Sequence, residues 1–441
     1  MRLIVLFLCL VCLQTAAEAY PIDGYYYTGI RRLINQRRVM EDSIAGRRIP
    51  FGALKYRDQI KLNLADSDQS FDQLATTDKA FEDQILSLLP NLDKSYSVSI
   101  MDITPGRKVR YAERQPLRQF QPGSVGKLAI ITGLFTELAR LYPDDFEKRM
   151  ILLKNHKVKA NTVGIPDHHT VPFYDVDRER FYKRHLQSRD EFSLFEWADH
   201  VMSVSSNGAA SVVWREVIYM RAFGDDYPVS EEVAENWVDT VDRRELARIA
   251  RGVVNDPLRE LGITEDEWRL GSLFTRTGKQ KFPAGGGSTG TPRGLMKWMV
   301  ALEKGDIVDK QSSLEFKRLM YMTDRRIRYA RSNALDSAAV YFKSGSFYKC
   351  DRSRNPNCGK YRGNVYNYMN SVCMVEQPDG TTYLVALMTN VLSRNSGYDH
   401  YILARRFDNA VRSFAPPTDE PSEAEVMKVV DGGERSDDGP D

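Results

Sequence analysis

Gln121-Pro122-Gly123-Ser124-Val125-Gly126-Lys127-Leu128 leads from a turn into a run of periodic apolar residues. Leu128, Ile131, Leu134, Leu138 and Leu141 recur at three- and four-residue steps, which reads as a buried helix. A serine at its start meets unpaired backbone N–H groups and the positive end of the helix dipole. Lys127 follows three residues on, on the same face one turn along. A lysine in a partly desolvated site gives up its proton more readily and can accept one from a serine hydroxyl. Taken alone, Ser124 reads better as a helix cap after a Pro-Gly turn, so the rest of the chain decides.

Two further pieces lie downstream in order. Ser205-Ser206-Asn207 is S-x-N, and Lys343-Ser344-Gly345 is K-[ST]-G. Neither S-x-x-K nor S-x-N is unique. Ser346-Phe347-Tyr348-Lys349 matches the first, and Ser353-Arg354-Asn355 and Ser393-Arg394-Asn395 match the second. Context chooses among them. The Ser346 match follows a strand in a Cys-, Arg- and Asn-rich loop, with no helical period after it. Ser205-Ser206-Asn207-Gly208 is turn and N-cap chemistry between two helical stretches. Lys343 alone would be a solvated lysine at a strand end. The order and spacing of the three make a serine acyl-enzyme site the better reading.

Working outward, residues 95–103 are strand-like, Thr104-Pro105-Gly106 is a turn, and residues 108–112 can return as a second strand. Residues 338–342 form a short strand leading into Lys343. Residues 366–376 and 381–390 flank Gln377-Pro378-Asp379-Gly380, a hairpin signal. Residues 400–414 alternate as a final helix. Strands at both ends with helices between predict a mixed α+β domain, its terminal strands sharing one antiparallel sheet. The sheet part is expected over residues 91–123 and 336–414, and an inserted helical part over 124–335. Residues 20–90 read as a helical N-terminal extension, and 415–441, rich in Pro, Gly and acid, as a disordered tail.

Residues 1–19 carry Arg2, an apolar stretch and Ala17-Glu18-Ala19, the pattern of a cleavable export signal. The apolar part is too short for a permanent span. A soluble exported protein, periplasmic or secreted, is therefore expected. Cys9 and Cys12 would leave with the signal. Cys350 and Cys358 flank a polar loop and can pair in an oxidising compartment, whereas Cys373 sits in a strand-like run as a buried thiol. His168-His169 has no acidic or cysteine partner at metal-ligand spacing, so neither a metal nor another cofactor is expected. The tail holds nine acidic and two basic residues, and residues 1–19 balance. The total of +2 thus leaves +9 on residues 20–414, a surplus whose usual meaning is solubility and which also favours anionic partners such as wall polymers. Nothing resembles a nucleic-acid module.

Over roughly residues 90–414 the chain resembles the class A serine β-lactamase family, within the penicillin-binding protein and β-lactamase superfamily. The likeness exceeds the three motifs. Residues 202–210, Met-Ser-Val-Ser-Ser-Asn-Gly-Ala-Ala, are similar to the family's M-S-D-N-T-A-A, and Thr289-Gly290-Thr291-Pro292 to its T-T-P segment. The resemblance implies a five-stranded sheet domain plus an all-helical one. It implies Ser124 as the acylated nucleophile, Lys127 as its proton acceptor and Ser205 as the relay to the leaving nitrogen. It implies Asn207 holding the substrate amide, and Lys343 and Ser344 meeting the substrate carboxylate. Gly345 completes the third motif, and the backbone N–H groups of Ser124 and Ser346 would form the oxyanion hole.

Two departures matter. Ser206 stands where the family usually has Asp. The deacylation element E-x-x-L-N is absent, and the nearest match is Glu267-Trp268-Arg269-Leu270-Gly271, followed by a Gly-rich insertion. β-Lactam hydrolysis with slow deacylation, a D-Ala-D-Ala-type wall peptidase or amidase, and a non-catalytic wall-binding module with a vestigial site therefore stand side by side. The intact Ser124, Lys127, Ser205 and Lys343 weigh against the third.

Overall fold

Five antiparallel strands form the main sheet, in the order Arg110–Arg114, Ser97–Asp102, Thr382–Asn390, Tyr366–Glu376, Ala339–Lys349. The computed structural model describes residues 23–46, 48, 54–89, 92–321, 323 and 326–413. The expected export signal and acidic tail lie outside the described residues. The first two strands come from early in the chain and the last three from its end, so the sheet closes around everything between, as the terminal strand signals predict.

Side chains alternate across the sheet. Val98, Ile100, Val340, Phe342, Val385 and Leu387 face one core, while Met101, Tyr341, Val372, Leu384 and Ala386 face the other. Helices Lys79–Ser87 and Gly397–Ser413 cover the first face through Phe81, Ile85, Leu403 and Phe407. By packing, the stretch 79–87 belongs with the sheet, not with a separate extension ending at residue 90. The second face meets helices Pro292–Lys304 and Lys310–Tyr321 and the helical layer beyond. Lys343 shares the parity of Tyr341, so it points into the seam between sheet and helical layer.

That layer centres on helix Lys127–Leu141, whose residues 127–138 are all buried. A helix buried on every side over three turns belongs inside a bundle. It packs against helices Asn207–Phe223 and Arg243–Glu260. Gly133 permits this approach: a Cβ there would stand 2.3 Å from the carbonyl oxygen of Val253.

The inserted region is not all-helical. Short antiparallel pairs Lys157–Lys159 with Glu191–Ser193, Thr170–Asp175 with Arg180–His185, and Trp268–Arg269 with Thr289–Gly290 interrupt it. The second is built from Val171, Phe173, Tyr174, Phe181 and Tyr182, residues of high strand propensity that the helical reading overlooked. The N-terminal segment is helical only in short pieces. Its Arg31 and Arg32 bind Glu196 and Asp199 on helix Leu194–Met202, and the Arg32–Asp199 pair is buried and bidentate at 2.6 and 2.7 Å. Among the described residues, no helix is long and apolar enough to cross a membrane.

Candidate active site

The nucleophile candidate sits on a 3-10 turn, Gly123–Gly126, one step before the α-helix begins at Lys127. The expected helix start is thus displaced by a tighter turn. Two glycines bring this turn against the end strand. A Cβ on Gly345 would lie 2.1 Å from the Pro122 carbonyl oxygen and 2.9 Å from the Ser124 nitrogen. One on Gly123, whose φ is 55°, would lie 2.8 Å from the Ser346 nitrogen. No side chain fits between these backbones, which is the physical reason for glycine in the third motif. The backbone nitrogens of Ser124 and Ser346 are thereby held on either side of one contact.

The sequence-selected side chains converge here. Lys127 Nζ lies 3.0 Å from Ser124 Oγ, 2.8 Å from Asn207 Oδ1, 2.6 Å from the Ser205 carbonyl oxygen and 3.4 Å from Ser205 Oγ. Lys343 Nζ donates to Ser205 Oγ at 2.8 Å and to the Ser344 carbonyl at 3.1 Å. Ser205 Oγ therefore bridges two lysines. Its φ of 63° is unusual for a serine, a backbone cost of the kind that clusters at functional sites. The rival serines Ser353 and Ser393 lie away from this cluster. Ser346 faces the cleft next to Gly345, while its would-be partner Lys349 is at the far end of the strand.

Electrostatically the site holds two buried lysines without a carboxylate in contact. Burial pushes Lys127 from 10.5 down to about 7, against a smaller opposing pull from Asp167. Burial also drives Lys343 well below its ordinary value, aided by the charges of Lys127 and Arg328. Arg328, half-buried, anchors the strand edge by donating to the Gly345 carbonyl at 2.9 Å. The cleft holds about 650 Å³. His168, His169, Lys279, Arg328, Lys343 and Lys360 line it, and no Asp or Glu does among the described residues.

Glu267, the sequence candidate for a water-activating base, is held outside this cleft. Its carboxylate accepts from Thr264 N at 2.8 Å and pairs with Lys297 at 2.9 Å. Burial would raise its pKa, but Lys297 and the Thr264 N–H outweigh that and lower it. The positions beside Lys127 belong to apolar groups. The Phe274 ring centroid is 4.8 Å from Nζ, and Leu270 packs on Gly126. Gly271 replaces the family asparagine for a steric reason: a Cβ there would meet the Gly286 carbonyl oxygen at 2.3 Å.

Sequence reasoning missed Asp167. Its side chain is fully buried, and it stands in for the acid that Ser206 lacks. Ser206 Oγ donates to Asp167 Oδ2 at 2.7 Å and Gly208 N at 2.9 Å, so a carboxylate from another loop braces the Ser205–Asn207 turn. Asp167 is also the acidic neighbour that His168-His169 was expected to lack: His169 Nδ1 is 2.7 Å from Oδ1. Donor atoms of Asp167, His168 and His169 lie within 4.8 Å of one another. Both Asp167 oxygens already accept from protein donors, so the side chains of Asp167, His169 and Ser206 form a hydrogen-bonded cluster. The local signal was present as Pro166-Asp167-His168-His169, but its partners are 39 to 41 residues away.

Cys350 and Cys358 are joined in a disulfide, which ties the loop bearing Lys360 and Tyr361 at the cleft mouth. Cys373 is free and buried, and burial raises its pKa.

The model of the β-lactamase enzyme family matches residues 80–404. No curated protein matches. The fold is similar to PBP-A, at 14% identity over 77% of this chain and 98% of that one, with a TM-score of 0.50. Similar too are a β-lactamase from Sphaerobacter thermophilus, at 14% identity over 76% and 98% with a TM-score of 0.46, and the TLA-3 extended-spectrum β-lactamase, at 13% over 76% and 98% with a TM-score of 0.49. The chain belongs to the β-lactamase enzyme family, and is a hydrolase of the serine β-lactamase and penicillin-binding protein superfamily.

Proposed function

We propose that this protein is an exported serine hydrolase of the class A type that attacks β-lactam amides and accumulates the acyl-enzyme. The observation that carries this reading is Ser124 Oγ 3.0 Å from a fully buried Lys127 whose pKa falls to about 7. Near neutrality a large share of Lys127 is then unprotonated and can take the Ser124 proton as Oγ attacks the lactam carbonyl. The N–H groups of Ser124 and Ser346 receive the developing oxyanion. Ser205, between Lys343 and Lys127, passes a proton to the departing nitrogen. Asn207 holds the substrate amide, and Lys343, Ser344 and Arg328 attract its carboxylate. The export signal over residues 1–19 and the Cys350–Cys358 bond support an oxidising compartment.

Glu267 favours a second reading. Its carboxylate is committed to Lys297 and Thr264, and a site that acylates but activates water poorly suits a D-Ala-D-Ala-type wall peptidase or amidase. Intact-protein mass spectrometry after mixing with a penicillin separates these. An adduct that persists without releasing hydrolysed penicillin supports the wall-peptidase reading, whereas one that accumulates and then decays with release of product supports the slow β-lactamase proposed first. A transient adduct supports a β-lactamase. No adduct overturns both.

A further inference from the structure

We infer that His169, oriented by Asp167, is the general base that activates water against the acyl-enzyme on Ser124. This rests on the acyl-enzyme reading above and supplies the step for which Glu267 is unavailable. The two residues form a dyad in which His169 lines the cleft and the fully buried Asp167 stands behind it. Asp167 Oδ1 accepts from His169 Nδ1 at 2.7 Å and from the His169 backbone N at 3.1 Å, which fixes the ring. Oδ2 is fixed in turn by Ser206 Oγ and Gly208 N, the neighbours of Asn207. Asn207 Oδ1 touches Lys127 Nζ, which touches Ser124 Oγ. A short chain of bonded groups thus sets the imidazole relative to the nucleophile. Its side chain is 19% exposed, and it lines the same cleft as Ser124, Ser205 and Asn207. With Nδ1–H committed to a carboxylate, Nε2 is the basic nitrogen, the arrangement that makes a histidine a proton acceptor.

The step balances. The water oxygen bonds to the acyl carbonyl carbon while one water proton moves to Nε2. Collapse of the tetrahedral species breaks the carbon–Oγ bond, and the proton passes from the imidazolium to Ser124 Oγ. The products are the free acid and regenerated serine. The groups facing His169 are Asp167, His168, His185 and Lys127. Burial lowers its pKa from 6.5, Lys127 lowers it further, and Asp167 opposes both. The base form therefore prevails at neutral pH, and deacylation slows as pH falls below the ordinary histidine range.

The test follows the adduct formed with a penicillin by intact mass, over pH 5 to 8, in the full chain and in His169→Gln and His169→Ala. The expected result is acylation within about threefold of the native rate, with adduct lifetime at pH 7 lengthened at least about a hundredfold and its pH dependence lost. Added imidazole should shorten the lifetime in His169→Ala, a rescue that a merely structural role would not produce. Asp167→Asn should shift the pH profile of the lifetime. Normal acylation with unchanged lifetime and pH profile in His169→Gln overturns the dyad alone. A native chain that takes up no penicillin overturns the acyl-enzyme reading and this one with it.

Discussion

Lys127 and Lys317 are both fully buried, and their surroundings give them opposite characters. Lys317 sits between Glu303 at 2.8 Å and Glu376 at 2.7 Å, with the Lys61 carbonyl at 2.6 Å and Lys55 bound to the same Glu376. Burial would lower its pKa, but the two carboxylates outweigh that and raise it. It is a permanent cation that ties helices Pro292–Lys304 and Lys310–Tyr321 to the sheet. Lys127 has a hydroxyl, an amide oxygen, a carbonyl and the Phe274 ring, and no carboxylate in contact. Burial then acts almost unopposed and makes it a base. Depth alone does not distinguish a reactive lysine from a structural one; the missing counter-charge does.

The largest effect expected separates the two in activity. Lys127→Met should reduce β-lactam labelling by at least about 10³-fold, and Ser124→Ala should abolish it, while Ser346→Ala leaves some. Lys317→Met should label at nearly the native rate. Mass-spectrometric labelling rates check all four. Labelling that survives Ser124→Ala would remove that serine as nucleophile.

Stability should invert the ranking. Lys317→Met leaves buried Glu303 without a cationic partner and Glu376 with Lys55 alone, and should cost about 3–5 kcal/mol, read as a shift in denaturant midpoint. Lys127→Met removes a buried amine with no anionic partner, and should leave stability unchanged or improve it. Equal losses in both would refute the distinction.

A smaller effect lies in pH. Lys127 acts as acceptor only when neutral, and its pKa is about 7. The acylation rate should therefore fall about tenfold per unit below pH 7 and level off above it. Stopped-flow acylation between pH 5 and 9 checks this. A plateau reached only near pH 10 would mean Lys127 keeps an ordinary lysine pKa and the contrast with Lys317 fails.

The parts legible in the sequence are those with a local signature. The strand into Lys343, the Gln377-to-Gly380 hairpin and the helix after Ser124 each carry periodicity or turn residues, and together they specify the sheet that closes around the insert. The candidate cluster was legible because three short motifs occur in order, although two of them repeat elsewhere. What escaped depends on contacts between distant loops. Asp167 meets Ser206 across 39 positions, Phe274 covers Lys127, and Arg328 reaches the Gly345 carbonyl. No period or spacing encodes such meetings. The stretch 79–87 was assigned to a separate extension for the same reason: its amphipathic face gives no hint that its partners are strands far along the chain and the helix Gly397–Ser413.

Glu267 is the converse case, correct in spacing and wrong in place, and it supports the smallest expected effect. Leu270 stands at the family offset and does pack on Gly126 beside the nucleophile turn. Glu267 itself caps its own turn through Thr264 N and pairs with Lys297, both outside the lining of the cleft. A carboxylate so engaged has neither a free lone pair aimed at the ester nor a route for a proton from it. Glu267→Gln keeps the shape and can still accept from Thr264, so the loss is confined to the charge of the largely buried Lys297 pair and should cost about 1–3 kcal/mol of stability. The acyl-enzyme lifetime should stay within about twofold of native, far less than the hundredfold or more expected on losing a general base. A clear lengthening of that lifetime, with acylation unchanged, would mean the Glu267 turn rearranges on acylation, and would return the carboxylate to the mechanism in place of the Asp167–His169 dyad.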